Sequence, residues 1–354
     1  MLASLTTRSF RNLADASFAP GEGRHLLLGS NGAGKTSLLE AAYLAATTKS
    51  FRTADLATCA RHGEGGFHVA IEAGGGRRDR LEIGWQRGDR LRLANGNAVP
   101  LAEHVALQPV VLWTAAEADL LGGAPALGRR LIDRGLVSTR PMALAVLSQY
   151  RRVLAQKRQL LASGRAEGLG SWNELLAESA AAVIALRAAY VEALDAALGA
   201  VRERTALPLP PLRIEYLPSP RAGIAGGDAI LTALERIAPR ERQRGAPLLG
   251  PHRDALRLLW DGREVGTVAS AGEGKALGLL LAAAQGTLVE ATGRDAVYLL
   301  DDADAELDRE RLAAVWEAFA PATQLLATSS RPEVWEALST GRRWRLSGGR
   351  VIAS

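Results

Sequence analysis

The sequence is poor in sulfur and in lysine. Cys59 is the only cysteine among 354 residues, so no intramolecular disulfide can form, which suits a reducing compartment. No apolar run approaches the roughly 20 residues a membrane-spanning helix needs; the longest, such as Leu277 to Ala284, fall far short. Met1-Leu2-Ala3-Ser4-Leu5 meets Arg8 with no basic segment and apolar core between, so no secretory signal is expected and a cytoplasmic location is. Only Lys35, Lys49, Lys157 and Lys275 among the 43 basic residues are lysine, a bias of the kind genome composition produces. What remains is an ordinary globular composition, 47% apolar and 23% charged, long enough for one large domain or two modest ones. The net charge of +5 is compatible with a polyanionic partner without requiring one.

Texture divides the chain. Strand-like stretches at Leu2–Thr7 and His25–Leu28 lead into a helix over Lys35–Ala46, and short strands follow at Phe67–Ala73, Leu81–Gln86, Leu91–Ala94 and Pro109–Trp113. From about residue 115 the sequence turns helical. Val146, Leu147, Tyr150, Val153, Leu154, Leu160 and Leu161 share one helix face, opposite Ser148, Arg151, Arg152, Arg158 and Gln159. A second long helix covers Trp172 to Arg204 and stops at a proline-rich segment. A strand at Leu212–Leu217 and a helix at Asp228–Arg244 follow. Strand–helix texture then returns: Leu256–Trp260, a helix over Gly278–Ala291, Ala296–Leu300, a helix over Leu312–Phe319, and Gln324–Thr328. The expected fold is α/β: a discontinuous ATPase lobe from residues 1–114 and 245–354, with a mainly helical lobe, 115–244, inserted.

The strongest chemical signal is Gly29-Ser30-Asn31-Gly32-Ala33-Gly34-Lys35-Thr36, which fits G-x-x-x-x-G-K-[ST] between a strand and a helix. Glycines let backbone N–H groups converge on phosphate oxygens, and the helix N-terminus adds its positive end. Lys35 is expected to reach the β- and γ-phosphates of a nucleoside triphosphate, Thr36 to hold Mg2+, and Ser37 to join the loop residues in binding the nucleotide. The apolar run Val297 to Leu300 delivers Asp301 and Asp302 at a strand's C-terminal end, where open α/β sheets bind ligands. Asp301 would complete the Mg2+ shell; Asp302 would polarise the attacking water. Ser270-Ala271-Gly272-Glu273-Gly274-Lys275 opens the preceding helix. It reads either as an N-cap with a glycine turn or, through Ser270 and Gly272, as the signature motif of ATP-binding-cassette (ABC) ATPases, which closes over a nucleotide held by another subunit. Ala305-Glu306-Leu307-Asp308 is similar to the D-loop of that class.

Further segments narrow the class. Ser9-Phe10-Arg11-Asn12-Leu13 resembles the arm ahead of the P-loop in SMC-like ATPases. Ser50-Phe51-Arg52, the Gly123–Asp133 stretch with Pro125, Arg129 and Arg130, and Gly250-Pro251-His252-Arg253-Asp254 follow in order. With the acidic motifs, they resemble the RecF family of bacterial recombination mediators over nearly the whole chain. The resemblance implies a soluble, cytoplasmic protein with an SMC-like ATPase head, a helical second lobe and no long coiled coil. It also implies ATP-dependent homodimers with weak DNA-stimulated ATPase activity and binding to single-stranded, gapped or duplex-junction DNA. Such proteins act with RecO and RecR to load RecA at single-strand gaps, and support replication and the SOS response. Arg11 would lie near the nucleotide phosphates. The sequence departs from the pattern at Lys275, where arginine is usual, at Ala255 in place of a second aspartate, and at Thr114–Glu117, which lacks a proline. Gln108 is near the place of a Q-loop glutamine, and no histidine follows Gln324–Thr328. Asp302 is one methylene shorter than the glutamate usual in ABC ATPases, so slow turnover is expected.

Between Arg129 and Arg165 nine basic residues face one acidic residue, Asp133. That balance suits sequence-independent contact with DNA phosphates, through Arg151, Arg152 and Arg158 among others. Sparse aromatics argue against base stacking. A solvated helix face is the plain alternative for any single arginine. His252 reads as a sensor of nucleotide or as a hydrogen-bonded corner, not as a catalytic group. Rival functions are an ABC transporter's ATPase subunit, a P-loop metabolite kinase and a plain SMC-type head; the first two leave the Gly250–Asp254 or Ser270–Lys275 segments without a role, and the third needs longer heptad runs.

Overall fold

In the computed structural model, all residues are described except 75–77, 116, 118–123, 165–167, 222–225, 337, 339, 340 and 354. Gly123 and Arg165, the outer limits of two segments singled out above, and Ala116 lie outside the described residues. Strands β1 (Leu2–Arg8), β2 (Ala16–Phe18) and β3 (Gly23–Leu28) precede helix α1 (Lys35–Thr47). β4 (Gly66–Ala73), β5 (Asp79–Gln86), β6 (Asp89–Ala94), α2 (Leu101–Leu107) and β7 (Val110–Trp113) follow. Next come α3 (Pro125–Thr139), α4 (Ala143–Ala162), α5 (Leu169–Glu203), β8 (Leu212–Leu217), α6 (Gly227–Arg244), β9 (Ala255–Trp260), β10 (Arg263–Glu264) and α7 (Val265–Val268). The chain finishes with α8 (Ala271–Glu290), β11 (Val297–Leu300), α9 (Arg309–Ala318), β12 (Gln324–Ser329), β13 (Arg342–Ser347) and β14 (Arg350–Ala353).

The chain divides into two compact units: Met1–Ala118 with Ala200–Leu209 and Ala269–Ser354, and Asp119–Gly199 with Pro210–Val268. Residues 245–268, grouped by texture with the ATPase lobe, fall in the second unit. β9 pairs antiparallel with β8 along its whole length, from Leu212 opposite Trp260 to Leu217 opposite Ala255. The second unit therefore carries a three-stranded sheet, β10-β9-β8, beside its helices.

In the first unit, one antiparallel sheet has the order β2-β1-β4-β5-β6 and a second has the order β14-β13-β3-β12-β11-β7. The second sheet is parallel from β13 to β7, with only β14 antiparallel. Its central strands are buried on both faces: all four residues of β7 and β11 and all six of β12 are buried. That is why these strands read as unbroken apolar runs rather than alternating ones. Helix α8 is also apolar all round, and residues 274–286 are buried. Two glycines let it lie close on the sheet. A Cβ at Gly278 would fall 1.9 Å from the Trp113 ring of β7, and one at Gly286 1.8 Å from the Tyr298 hydroxyl of β11.

In the second unit, Leu147, Tyr150, Val153 and Leu154 of α4 pack with Leu176, Ala180 and Val183 of α5 and with Ile230 and Leu234 of α6. This is the apolar face expected for α4. The elements that sequence reading did not foresee are β2, α2, β10, α7, β13 and β14. β13 carries Arg342, Arg343 and Arg345 and has the polarity of a loop; its pairing with β3, Trp344 opposite Leu27, makes it a strand.

Candidate nucleotide site

The parallel sheet positions the site. β3, β12 and β11 lie side by side, with Leu26 opposite Ala327 and Ala327 opposite Leu300. Their C-terminal ends therefore share one edge, where the P-loop leaves β3, Thr328 is the last residue but one of β12 and Asp301 follows β11. Gly34 caps α1 at φ 108°, a backbone angle glycine adopts without strain. The first hydrogen bond of the helix runs from Leu38 N–H to the Gly34 carbonyl, so the amides of Lys35, Thr36 and Ser37 have no partner within the helix. Ser30, Asn31 and Gly32 form the exposed rim of the loop, and Ala33 is buried behind it. Lys35 folds back over the loop, with Nζ donating to the carbonyls of Gly29 at 2.8 Å and Ser30 at 3.2 Å.

Thr36 and Asp301 meet although they are far apart in sequence. The Thr36 hydroxyl lies 3.0 Å from both carboxylate oxygens of Asp301, and the Thr328 hydroxyl donates to Asp301 Oδ1 at 2.8 Å. Burial pushes the Asp301 carboxyl above its ordinary range, the neighbouring Asp302 adds to this, and the Thr328 and Thr36 hydroxyls and Lys35 oppose it. A buried carboxylate with incomplete charge compensation, against a hydroxyl, fits a divalent cation. Among the described residues no three His, Cys, Asp or Glu side chains converge as a metal cage. The one carboxylate of Asp301 beside the Thr36 hydroxyl is a donor set that would fit Mg2+, which takes one or two carboxylates and completes its shell with water and substrate phosphates. Thr328 also receives the amide of Asp302 at 2.8 Å, so one hydroxyl holds both aspartates. Asp302 itself sits at φ 46°.

Around the loop, three sequence motifs find partners. Asn12 Nδ2 donates to the Gly32 carbonyl at 2.7 Å and its Oδ1 accepts from the Ser37 hydroxyl at 2.8 Å. The arm thus clamps the P-loop, and the Ser37 hydroxyl is committed to the arm. Glu40, one turn beyond Thr36 on α1, is fully buried. It accepts from Arg11 Nε and Nη2 at 2.9 and 2.6 Å, from the Ser50 hydroxyl at 2.6 Å and from Arg52 Nη1 at 3.2 Å. Arg11 also donates to the Thr58 carbonyl at 2.6 Å. Most of its donors are spent on this bidentate pair and the Thr58 carbonyl, so in this structure Arg11 braces α1. Gln108 stands at the N-terminal end of β7, the sheet edge away from the P-loop, and donates to the Pro109 carbonyl; it has no place in the nucleotide site.

The N-cap reading of the signature segment has a direct structural basis. Ser270 and Glu273 form a capping box at the start of α8: Ser270 N–H donates to Glu273 Oε2 at 2.8 Å and its hydroxyl lies 2.7 Å from the same oxygen. Gly272 is buried against the Glu306 carbonyl, 2.9 Å from where its Cβ would be. Arg311 pairs with both Glu273 and Asp308. The signature and D-loop segments are one packed corner.

In the second unit, Gly250–Asp254 forms a buried polar centre. Asp254 accepts from Arg187 Nη1 at 2.7 Å, from Ser219 N–H at 2.8 Å and from the Tyr216 hydroxyl. The Tyr150 hydroxyl is 2.7 Å from His252 Nδ1 and accepts from His252 N–H at 3.1 Å. Burial pushes the His252 imidazole down to about 4. His252 is a hydrogen-bonded corner. The basic stretch is less uniform than its sequence: Arg130, Arg140, Arg151, Arg152 and Arg158 are exposed, but Arg151 pairs with Asp133 at 3.0 Å and Arg129 donates to the Asp254 carbonyl. Lys157 does not belong to that face. It is fully buried with Glu241, their charged atoms 2.6 Å apart, because its position on α4 points toward α6.

Sequence comparison is decisive at this point. The chain is 36% identical to the DNA replication and repair protein RecF of Frankia alni, with 99% of each chain covered. It is 34% identical to that of Acidothermus cellulolyticus, covering 99% of this chain and 98% of the relative. The chain belongs to the RecF family. No family model matches it. Its fold is that of a solved recombination mediator protein, RecF-ATP of the RecFOR pathway, at TM-score 0.88 and 22% identity over 100% of this chain and 97% of the other. The head of an Smc protein bound to the C-winged-helix domain of ScpA is more distant, at TM-score 0.58 and 14% identity over 100% of this chain. Membership in a DNA replication and repair family sets aside the transporter and kinase readings. The fold is similar to that of an Smc head, the architecture expected from the motifs. Among the described residues no helix is long and apolar enough to cross a membrane.

Sequence reasoning missed Asn12, Glu40, Thr328 and Trp113. Only Thr328, a hydroxyl near the end of an apolar central strand, carried a readable signal.

Proposed function

We propose that this chain is an ATP-driven clamp on DNA, in which nucleotide with Mg2+ at the P-loop closes two copies and hydrolysis reopens them. The observation that carries the reading is the 3.0 Å meeting of Thr36 with Asp301 at the mouth of the P-loop. Lys35 exchanges its loop carbonyls for the β- and γ-phosphates, while the amides of Lys35, Thr36 and Ser37 and the rim from Gly29 through Gly34 cradle the remaining oxygens. Thr36 and Asp301 would hold Mg2+, which would supply charge neutralisation to the phosphates. Asp302 orients water on the γ-phosphorus and takes its proton as the bond to the β–γ bridging oxygen breaks, giving ADP and phosphate. Ser270 and Gly272 would donate to the γ-phosphate on the P-loop of a second copy, Ser270 first leaving Glu273. Arg11 supports the cradle through Glu40 and joins the phosphates only if that pair opens.

Arg151, Arg152 and Arg158 are the candidate DNA contacts, with Arg152 and Arg158 favoured because Arg151 is held by Asp133. In this reading the chain works in the cytoplasm with RecO and RecR, loading RecA at gapped DNA and aiding replication and SOS induction; the relatives' name as DNA replication and repair proteins and the RecFOR pathway of the structural neighbour support it. Weak, DNA-stimulated turnover suits a switch rather than a motor. Sedimentation with and without ATP, Mg2+ and gapped DNA tests this. Wild type should dimerise with ATP, Lys35→Ala should stay monomeric, and Asp302→Asn should close without reopening. Dimerisation by Lys35→Ala equal to wild type would refute the clamp.

A further inference from the structure

Lys275 is the sixth residue of the signature segment, and its charge is buried: the residue is 3% exposed. Nothing in the signature's expected role, reaching toward a second copy, requires a buried cation. Its Nζ donates to the backbone carbonyl of Asp302 at 3.0 Å and stands 5.9 Å from the centre of the Trp113 ring. Asp301, Asp302, Asp304 and Glu306 supply the surrounding negative charge. The Asp301–Asp308 turn holds two non-glycine residues in the left-handed region, Asp302 at φ 46° and Glu306 at φ 66°. Such conformations persist only where the surroundings over-determine them.

The tethers on that turn can be named. The Thr328 hydroxyl accepts the Asp302 amide at 2.8 Å, Arg331 Nε donates to Asp304 Oδ2 at 3.0 Å, and Lys275 takes the Asp302 carbonyl. Thr328 and Arg331 come from β12 and the segment after it. Lys275 alone of the three belongs to α8. Gly278, one turn on, sets α8 flush against Trp113, which fixes where Lys275 can reach.

We infer that Lys275 is a positioning residue: it ties the N-terminus of the signature helix to the peptide that carries Asp302, so that the carboxylate faces the γ-phosphate only while α8 is seated. The inference rests on the proposed hydrolytic role of Asp302. It assigns the signature segment a second task, inside its own subunit, distinct from any contact with a nucleotide held elsewhere. Lysine suffices there because the acceptor is a single carbonyl oxygen, for which a guanidinium fork has no use.

The test uses the full-length protein with ATP, Mg2+ and gapped DNA, and compares Lys275→Met, Lys275→Arg, Asp302→Asn and the Met/Asn double variant. A misplaced catalytic group can cost on the order of 100-fold in rate. Lys275→Met should therefore lower kcat at least about tenfold, with ATP affinity and ATP-dependent dimerisation within about twofold of wild type. The double variant should be no slower than Asp302→Asn. Lys275→Arg, which keeps donor and charge and is the safer variant for folding, should show a smaller loss with the same split. If Lys275→Met does not fold, a loss of dimerisation or ATP affinity in Lys275→Arg with kcat unchanged overturns the assignment. So does full additivity in the double variant, which would place Lys275 outside the action of Asp302. Undiminished kcat in Asp302→Asn would overturn the hydrolytic reading and this inference together; a slow Asp302→Asn beside an unaffected Lys275→Met would overturn only this one.

Discussion

Gly278→Ala sets helix propensity against packing, and the structure decides the sign. Alanine in a helix interior is favoured over glycine by roughly 0.8–1.0 kcal/mol, so propensity alone forecasts a more stable protein. The added Cβ, however, would lie 1.9, 2.4 and 2.6 Å from three atoms of the Trp113 ring, where carbon atoms rest at about 3.5–4.0 Å. Trp113 is 1% exposed and its strand is paired with β11, so the ring cannot retreat without moving the sheet or lifting α8. Overpacking of this kind costs about 1–3 kcal/mol, and a rigid ring places it at the upper end. The net expectation is a loss of about 2 kcal/mol, or a fall of roughly 4–8 °C in the melting temperature of the first unit, whose size lies within the 150–250 residues to which that scaling applies. Calorimetry on the variant measures this. Gly199→Ala in α5 is the control: nothing stands within 4 Å of its Cβ, so propensity should raise stability there. Gly278→Ala with Trp113→Phe should recover part of the loss, since the smaller ring leaves room. A melting temperature for Gly278→Ala at or above wild type would refute the argument.

Three further outcomes follow from the geometry. The imidazole of His252, held down to about 4 by burial, contributes stability that is complete above its unfolded value of about 6.5 and is lost as pH falls through 4; about 3 kcal/mol is at stake, and denaturant titrations between pH 7 and 4 should show that fall shrinking in His252→Gln. Glu40→Gln leaves the guanidinium of Arg11 without its buried anion, so unfolding free energy should drop by about 3 kcal/mol, measured by urea titration; a neutral result would mean that Arg11 finds another partner. Arg152→Ala with Arg158→Ala should reduce the slope of log DNA affinity against log salt by about 1.8 if both touch duplex phosphates; an unchanged slope in fluorescence anisotropy would move the contact off this face.

The parts of the site that were legible in the sequence are those whose chemistry is local. The P-loop needs consecutive residues, because one turn and one helix start make the whole cradle. The run into Asp301 was legible because a strand buried on both faces has no polar residue until it ends. The α4 stripe was legible because a helix repeats its face every few residues, and Lys157 misled the same reading because a basic residue buries its charge only when a partner, here Glu241, comes from another helix. The left-handed turn at Asp302 and the Arg11–Glu40 pair had no signature, since each depends on residues brought together by packing.

By itself the sequence determined a P-loop pattern, an acidic strand end and membership in the RecF family, since periodicity and short motifs encode the contacts a residue makes with its neighbours in the chain. Only the tertiary structure decided that Thr36, Thr328 and Asp301 share one point, that Arg11 braces α1, and that Lys275 turns inward to Asp302. Those pairings span up to several hundred residues, and their cost in chain entropy is met only when the sheet and α8 have already packed.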